Sequence, residues 1–271
     1  MNLTSPSQVK AWCIENGFHP NKVLGQNFLI DQNALKAIVD AGLEGLGGLD
    51  VLEIGPGLGV LTEEMLKRGC RVTAIEKDPV LAARLKESLG NPEGLTVVSA
   101  DALDWIARNL QTSPTSQTSQ TFSCMVSNLP YQAGTRILLE LVQRRELPSM
   151  TVLVQTEVAE RLAAGPGTKT RGLAGVWAQL DYDVRIVRKV AASCFWPRPE
   201  IGSSVVRLDR HDRNLSLTDE ERKLFRRLTK QAFEHRRKQL GSIFKDLIQS
   251  TARAEELANE DWIQLVKGLI G

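Results

Sequence analysis

The sequence predicts an α/β fold in which a mostly parallel, Rossmann-like sheet is followed by a small C-terminal all-helical domain. Two observations carry this prediction. Between residues 50 and 155, short apolar runs alternate with helical stretches, which is the pattern of a parallel sheet with crossover helices. From Thr218 onward the chain reads as helices without strands. We therefore expect two domains, residues 1–210 and residues 211–271.

Two helices are predicted before the sheet begins. Ser5 is expected to be the N-cap of the first helix, with Pro6 at the first helical position and Gln8 completing a capping box. Gly17 would end this helix. A second helix is expected over residues 31–42.

The predicted sheet contains strands of five or six residues separated by helices. The strands are expected at the segments DVLEI, RVTAIE, LTVVS, FSCMVS and TVLVQ. The helices between them are expected at residues 60–68, 78–90 and 103–109, each bounded by a turn or cap residue. Residues 111–121 are a low-complexity Ser/Thr/Gln stretch, which predicts a mobile surface loop.

Charge and cysteine content restrict the class of protein. The formal net charge is only +2, so the whole-chain charge does not mark a nucleic-acid binder. The four cysteines form no CxxC pair and have no histidine cluster beside them, so no metal site is expected. Scattered reduced thiols favour a cytoplasmic protein. The first residues carry no apolar signal core, and no run approaches the ~20 apolar residues of a membrane span, so no membrane contact is expected.

A glycine-rich turn, EIGPGLG, follows the first strand of the sheet. Gly55 and Gly57 let the backbone approach a ligand closely, and the next helix offers N–H donors at its start. The pattern is G-x-G-x-G, whereas the dinucleotide pattern would require glycine at position 60, where Val60 stands. The turn therefore favours a ligand with a carboxylate and a sulfonium, S-adenosylmethionine, over one with a pyrophosphate.

Carboxylates stand at the ends of the next two strands. Glu76 ends the second strand, where it could accept hydrogen bonds from both hydroxyls of a ribose. Asp101 follows the third strand and could accept from an adenine amine. Glu76 would suit a nicotinamide cofactor equally well. Each residue could instead be only a helix N-cap or a solvated strand end.

The most specific segment is Asn128-Leu129-Pro130-Tyr131, directly after the fourth strand. The lone pair of an adenine N6 amine is delocalised into the ring, so the amine is a poor nucleophile. The Asn128 side-chain oxygen and a backbone carbonyl held at the Leu129–Pro130 step could accept both N6 hydrogens and direct the lone pair toward a methyl donor. Tyr131 would stack on the base, as in enzymes that act on flipped nucleotides. Catalysis would then be mainly positioning.

Together these segments resemble the family of ribosomal RNA adenine N6-dimethyltransferases, of the bacterial small-subunit type. The resemblance runs from about Lys22 to Lys245. It is carried by the segments LGQNFL (24–29), EIGPG (53–57), IEKD (75–78), NLPY (128–131), FWPRP (195–199) and RRK (236–238).

The resemblance implies an enzyme of ribosome biogenesis with S-adenosylmethionine as cofactor. Its substrate would be 16S rRNA within a small ribosomal subunit or its precursor. Methyl groups would be added to N6 of two adjacent adenines near the 3′ end. We expect the chain to act as a monomer.

The resemblance also implies roles for individual residues. Gln26 would help to close the pocket, and Phe195 would be a second aromatic wall that faces Tyr131 across the target base. The cofactor contacts would be Asn27, Leu29, Gly55, Glu76, Asp101 and Asn128.

Four positions depart from the family pattern. Gln132 and Ala133 stand where an asparagine and an aliphatic residue are usual. Glu200 replaces a basic residue, and Gly202 replaces an aspartate. These positions bear on how Tyr131 is supported and on how many methyl groups are added.

A basic helix face is predicted in the C-terminal domain. At 3.6 residues per turn its cations fall on one side, opposite Leu224, Phe225, Leu228 and Ala232, and would suit an RNA phosphate backbone. The cations are Arg222, Lys223, Arg226, Arg227, Lys230, Arg237 and Lys238. A plain solvated face is the alternative. The basic, glycine-rich loop 165–172 could be a lid over the target strand or an ordinary loop.

Three alternative functions stay open from the residues. A large-subunit (23S) rRNA adenine methyltransferase of the macrolide-resistance type would share the same catalytic logic. A non-catalytic ribosome-assembly factor would bind RNA through the basic helix, although the intact Asn128–Tyr131 loop argues against it. A nicotinamide dehydrogenase is disfavoured by Val60.

Overall fold

The computed structural model describes residues 1–21, 24–46, 48–110, 122–214 and 216–270. The low-complexity stretch at residues 111–121 lies outside these ranges. The chain divides into two compact units. The first comprises Met1–Ala159 and Arg185–Asp209, and the second comprises Glu160–Val184 and Arg210–Gly271.

This division differs from the expected domains at residues 1–210 and 211–271, because Glu160–Val184 belongs to the second unit. The reason is helix α8 (Leu173–Asp181), which begins after the loop at residues 165–172. Its side chains Val176 and Leu180 are buried in the same apolar core as Phe225 and Trp262. This helix was not predicted from the sequence.

The first unit is built on a seven-stranded sheet with the order β4-β3-β2-β5-β6-β9-β7. Strands β2 to β6 pair in parallel, and β9 pairs antiparallel with β6. A separate two-stranded ribbon pairs β1 with β8. The strands are β1 (Phe28–Leu29), β2 (Asp50–Ile54), β3 (Arg71–Glu76), β4 (Leu95–Ser99), β5 (Cys124–Asn128), β6 (Ser149–Gln155), β7 (Tyr182–Val190), β8 (Phe195–Trp196) and β9 (Ser203–Arg210).

Helices alternate with the parallel strands, which confirms the predicted α/β class. They are α1 (Pro6–Glu15), α2 (Gln32–Leu43), α3 (Val60–Lys67), α4 (Pro79–Ser88), α5 (Ala102–Asn109), α6 (Gly134–Arg144), α7 (Thr156–Ala163), α8 (Leu173–Asp181), α9 (Asp219–Glu234), α10 (Leu240–Phe244) and α11 (Asn259–Ile270). Among the helices of the described residues, none is long and apolar enough to cross a membrane.

Local sequence places the helix starts that matter for the site. The side chain of Asp78 accepts hydrogen bonds from the N–H groups of Val80 and Leu81, so α4 begins directly after β3. Asp101 caps α5 in the same way after β4. Strand β2 is buried at every residue after Asp50, as expected for a parallel strand covered on both faces. These features bring turns and helix N-termini together at the carboxyl edge of the sheet.

The expected capping box of α1 does not form. Ser5 is the N-cap residue, but its side chain caps no backbone N–H. The Gln8 side chain accepts instead from the backbone N–H of Asn2 at 2.7 Å. A capping box is present at the start of α9, because Thr218 and Glu221 each accept from the other's backbone N–H.

Candidate active site

A cavity of about 360 Å³ opens in the first unit beside the carboxyl ends of β2, β3 and β5. Its volume lies in the range of small-molecule binding sites. The wall brings together the predicted residues Asn27, Leu29, Gly55, Gly57, Glu76, Asp101, Asn128, Leu129, Pro130 and Tyr131.

The glycine turn forms one wall of this cavity. Gly55 and Gly57 have φ angles of 70° and 59°, in the left-handed region that favours glycine. A Cβ atom on Gly57 would lie 3.1 Å from the Phe28 ring. One on Gly59, the N-cap of α3, would lie 2.6 Å from Leu85. The turn therefore requires glycine both for its backbone angles and for its packing.

Glu76 fastens this turn to the start of α4. One carboxylate oxygen accepts from the Gly57 N–H at 3.1 Å, and the other accepts from the Asp78 N–H at 2.8 Å. Burial raises the pKa of the Glu76 carboxyl, and the two N–H donors act to lower it. The carboxylate thus lines the cavity with its position fixed from two sides.

Asp101 is both a helix cap and a cavity residue. Its Oδ1 atom accepts from the Leu103 N–H at 2.9 Å, while Oδ2 lies 3.0 Å from the Lys77 ammonium. The hydrogen bond from Lys77 lowers the pKa of the Asp101 carboxyl, and backbone N–H donors act in the same direction. From the sequence, a helix N-cap was the alternative to a binding role for Asp101. In the structure the same residue caps α5 and lines the cavity.

The Asn128–Tyr131 loop forms the facing wall. The Asn128 amide nitrogen donates to the Asn27 carbonyl at 3.1 Å, which fixes the orientation of the amide and of its oxygen Oδ1. The Pro130 carbonyl accepts from the N–H groups of Ala133 and Gly134 at 3.2 and 2.7 Å, so the loop leads directly into α6. Ala133, a departure from the family pattern, is the N-cap residue of α6.

Gln26 ties the N-terminal segment to the same site. Its Nε2 atom donates to Asp78 Oδ2 at 3.0 Å, and its Oε1 atom accepts from the Asn21 N–H at 2.7 Å. Gln26 and Gln132 both line the cavity.

The structure does not place Phe195 in the cavity wall. Its side chain is 2% exposed and belongs to the apolar core of the first unit. The reason is the β1–β8 ribbon, which pairs Phe195 with Leu29 and buries both residues. Leu29 lines the cavity, and Phe195 does not.

Three residues near the site were missed by sequence reasoning. Leu3 lines the cavity although it precedes the first helix, where no periodicity marks it. Ser203 lies at the start of β9, and its hydroxyl is 2.6 Å from that of Tyr131. Glu53 was quoted within the glycine motif but given no role. A carboxylate in an otherwise apolar strand was the available signal.

Glu53 is the most strongly perturbed carboxyl of the cavity wall. It is 1% exposed, and its Oε2 atom accepts from the Thr62 hydroxyl at 2.6 Å. Burial raises its pKa to about 8, against the effect of the Thr62 hydrogen bond. Glu53 is therefore mostly protonated at neutral pH.

The predicted basic face of the second unit is smaller than expected. Arg222 is 3% exposed because it pairs with Asp181 inside this unit. Helix α9 ends at Glu234, so Arg237 and Lys238 are exposed in the turn after the helix and not on its face. The remaining predicted cations on the outer side of the helix are Lys223, Arg226, Arg227 and Lys230.

Comparison with known proteins decides the family. The family model for ribosomal RNA adenine dimethylase matches residues 17–266. The chain belongs to this family.

Known proteins are similar to this chain over most of its length. The chain is 44% identical to ribosomal RNA small subunit methyltransferase A of Deinococcus radiodurans over 207 residues, which is 76% of this chain and 67% of the relative. It is 40% identical to the protein of the same name from Rhodococcus opacus, over 93% of this chain and 85% of the relative. A dimethyladenosine transferase from Plasmodium falciparum shares the fold with a TM-score of 0.74 and 22% identity, over 89% of this chain and 97% of the other.

The family assignment agrees with the kind of site found. Within the described residues, no group of three or more His, Cys, Asp or Glu side chains is arranged to hold a metal ion. The cavity is lined by the glycine turn, the two strand-end carboxylates and the Asn128–Tyr131 loop.

Proposed function

We propose that this chain transfers methyl groups from S-adenosylmethionine to N6 of two adjacent adenines near the 3′ end of 16S rRNA. The observation that carries the proposal is that one cavity is lined by both the glycine turn and the Asn128–Tyr131 loop. The names of the relatives, ribosomal RNA small subunit methyltransferase A, support the small subunit over the large subunit as the substrate.

The residues present fit S-adenosylmethionine. Gly55 and Gly57 line the cavity without side chains, so a ligand could approach their backbone closely. Glu76 and Asp101 offer carboxylate acceptors to hydroxyl and amine groups. Asn27, Leu29, Gly55 and Asn128 complete the proposed cofactor contacts. When bound, S-adenosylmethionine supplies an electrophilic methyl group on a sulfonium.

The protein's own contribution is to grip and orient the target amine. Asn128 is held by its hydrogen bond to Asn27, so its Oδ1 atom is an acceptor in a fixed position. The Leu129 carbonyl would be the second acceptor, because the Pro130 carbonyl is already bonded to the start of α6. Two acceptors on the N6 hydrogens favour a pyramidal amine and concentrate its lone pair. Positioning of this kind can remove a large part of the activation barrier of a displacement reaction.

Tyr131 would hold the base by stacking on it. Phe195, which lies outside the cavity wall, would support the wall residue Leu29, its partner in the β1–β8 ribbon. For the RNA backbone we propose the cations Lys223, Arg226, Arg227 and Lys230, together with Arg237 and Lys238 in the following turn. Every residue proposed for cofactor and base comes from one chain, so a monomer suffices. Action on a small subunit or its precursor would be cytoplasmic.

Incubation of the purified chain with labelled S-adenosylmethionine and unmethylated ribosomal subunits tests the proposal. We expect label in N6-methylated adenosine from small subunits, and none from large subunits. Asn128→Ala and Tyr131→Ala should each lower turnover by about 100-fold or more, the scale found when a positioned transition-state contact is removed. Asn109→Ala is the matched control, because among the described residues the Asn109 side chain bonds to the Trp105 carbonyl of its own helix. Wild-type turnover in either loop variant would exclude this pocket as the active site.

A further inference from the structure

We propose that Ser203 is a positioning residue, which holds the Tyr131 ring in the orientation that stacks on the target adenine. This inference rests on the proposed function, in which Tyr131 contacts the base. Ser203 itself lies behind Tyr131 and is not a cavity residue.

The contact is a short hydrogen bond between distant parts of the chain. The hydroxyl oxygens of Tyr131 and Ser203 are 2.6 Å apart, although the residues are 72 positions apart in sequence. Ser203 is completely buried, and Tyr131 is partly buried. A hydroxyl in such a place has no bulk water as a substitute partner, so loss of this bond is costly.

The framework that carries Ser203 is continuous with the one that carries the catalytic loop. Ser203 pairs in register with Gln155 on β6, and β6 pairs with β5, which ends at Asn128. The backbone ladder therefore fixes the distance between the Ser203 hydroxyl and the start of the loop. A hydroxyl on a rigid sheet is a precise anchor for a side chain on a loop.

The other end of Tyr131 is held by Gly25. A Cβ atom at Gly25 would lie 3.1 Å from the Tyr131 backbone nitrogen, so this glycine allows the loop backbone to pack closely. Gly25 also has a φ of 65°, which favours glycine. With its backbone packed at one end and its phenol bonded at the other, the ring has little freedom in its two side-chain torsions.

The hydrogen bond to Ser203 also supports Tyr131 in a region where the chain departs from its family. The departures at Gln132 and Ala133 directly follow Tyr131 in sequence, yet the phenol is bonded to β9. Burial raises the pKa of the Tyr131 phenol, and the hydrogen bond to Ser203 acts to lower it. The phenol is therefore neutral at neutral pH, and either hydroxyl of the pair can donate the hydrogen bond.

A purely structural role for Ser203 makes a different prediction, and the next residue provides the comparison. Ser204 is also completely buried on β9, but its hydroxyl bonds to Thr156 Oγ1 at 3.1 Å. Removal of either hydroxyl leaves a partly buried hydroxyl partner without this hydrogen bond. Only removal of the Ser203 hydroxyl frees the ring of Tyr131.

The test is a double-mutant cycle on full-length protein, with Ser203→Ala, Tyr131→Phe, the double variant and Ser204→Ala as control. For each we would measure kcat and KM with unmethylated small subunits, calorimetric affinity for S-adenosylmethionine, and the free energy of unfolding. We expect Ser203→Ala and Tyr131→Phe each to lower kcat by about fivefold to tenfold, the scale of one hydrogen bond. In the Tyr131→Phe background, Ser203→Ala should add less than about twofold, because the bond is already absent. Cofactor affinity should stay within about twofold throughout, and Ser204→Ala should keep kcat.

Unchanged kcat in Ser203→Ala, or effects that multiply in the double variant, would overturn the positioning role of Ser203. The proposed function would not be affected by either result. An inactive wild type would overturn the proposed function and this inference together. If Ser203→Ala does not fold, Tyr131→Phe decides the question, since it removes the same bond from the cavity side. A fivefold or greater loss of kcat then supports the inference, and no loss overturns it.

Discussion

Arg222 and Asp181 form a buried ion pair within the second unit. The Arg222 Nη1 atom donates to both Asp181 carboxylate oxygens, at 2.9 and 2.8 Å, and the side chains are 4% and 6% exposed. The second guanidinium nitrogen donates to the Asn214 carbonyl at 2.5 Å. Arg222 therefore joins the start of α9 to the end of α8. Its charge is neutralised by Asp181 inside the unit and stabilises the fold.

Arg222→Ala is expected to destabilise the protein while leaving the RNA affinity of the folded molecules unchanged. The variant leaves the Asp181 carboxylate buried without its cation, which costs about 3 kcal/mol or more. Denaturant unfolding gives the loss of stability. Filter binding at a temperature where the variant stays folded gives the affinity for small-subunit rRNA.

The control replaces both partners, as Asp181→Leu with Arg222→Met. Because neither member then remains as an isolated buried charge, this double variant should recover most of the lost stability. A large fall in RNA affinity for folded Arg222→Ala would show instead that this arginine contacts RNA.

The outer side of α9 carries a second prediction, on salt dependence. Lys223, Arg227 and Lys230 are exposed cations on this side. If each neutralises one phosphate, replacing all three by glutamine should weaken RNA binding and make the negative slope of log affinity against log salt shallower by roughly 2. Titrations at several salt concentrations measure this slope.

A matched control removes three exposed cations from the first unit, with Lys36, Lys67 and Arg71 changed to glutamine. These side chains are 67%, 62% and 69% exposed. The net charge changes by the same amount, yet the slope should stay as in the wild type. Equal slopes for both triple variants would mean that α9 makes no specific phosphate contacts.

Much of the fold could be predicted because local signals agree with it. Strands β2 to β6 are apolar runs bounded by turn residues, and Asp78 and Asp101 mark helix starts that the structure contains. Strand β7 was missed because Tyr182–Val190 is rich in charged residues and is fully buried only at its first and last residues. Strands β1 and β8 have only two residues each, so no period can show in them.

The site could be predicted where one motif supplies several neighbours, and not where packing brings distant residues together. Gly55 and Gly57 follow the end of β2, and Asn128 is the last residue of β5, so the parallel sheet alone brings them to one edge. The burial of Phe195 depends on its pairing with Leu29 in the β1–β8 ribbon, which no local sequence pattern predicts. The hydrogen bond between Ser203 and Tyr131 depends on the strand order of the sheet, which local sequence patterns do not predict.

Glu53 predicts a specific pH dependence of stability. Burial raises its pKa in the folded protein from 4.5 to about 8, with Glu76 as the neighbouring charge that acts in the same direction. Folding therefore favours the protonated form, and this contribution is full below the unfolded pKa and is lost as pH rises through about 8. Glu53→Gln keeps an acceptor for Thr62 and carries no charge, so it should gain stability over the wild type, by up to a few kcal/mol, as pH rises from about 5 to about 8.

The measurement is the free energy of unfolding at several pH values for both proteins. Glu87→Gln removes an exposed carboxylate from α4 and should show no such growing difference. A difference between Glu53→Gln and wild type that is constant from pH 5 to pH 8 would contradict a neutral Glu53.

Leu3 leads to a prediction on cofactor affinity. Its side chain is 5% exposed and lines the cavity, and the turn that carries it is fixed by Asn2, whose Oδ1 atom accepts from the Thr4 N–H and hydroxyl at 3.0 and 2.8 Å. Leu3→Ala shortens an apolar wall, so we expect affinity for S-adenosylmethionine to fall about tenfold, the effect of about two lost carbon contacts at about 0.8 kcal/mol each. Calorimetry without RNA measures this directly. Ile14→Ala in α1 is the control, because Ile14 is 80% exposed. Wild-type affinity in a folded Leu3→Ala protein would show that this wall does not touch the ligand.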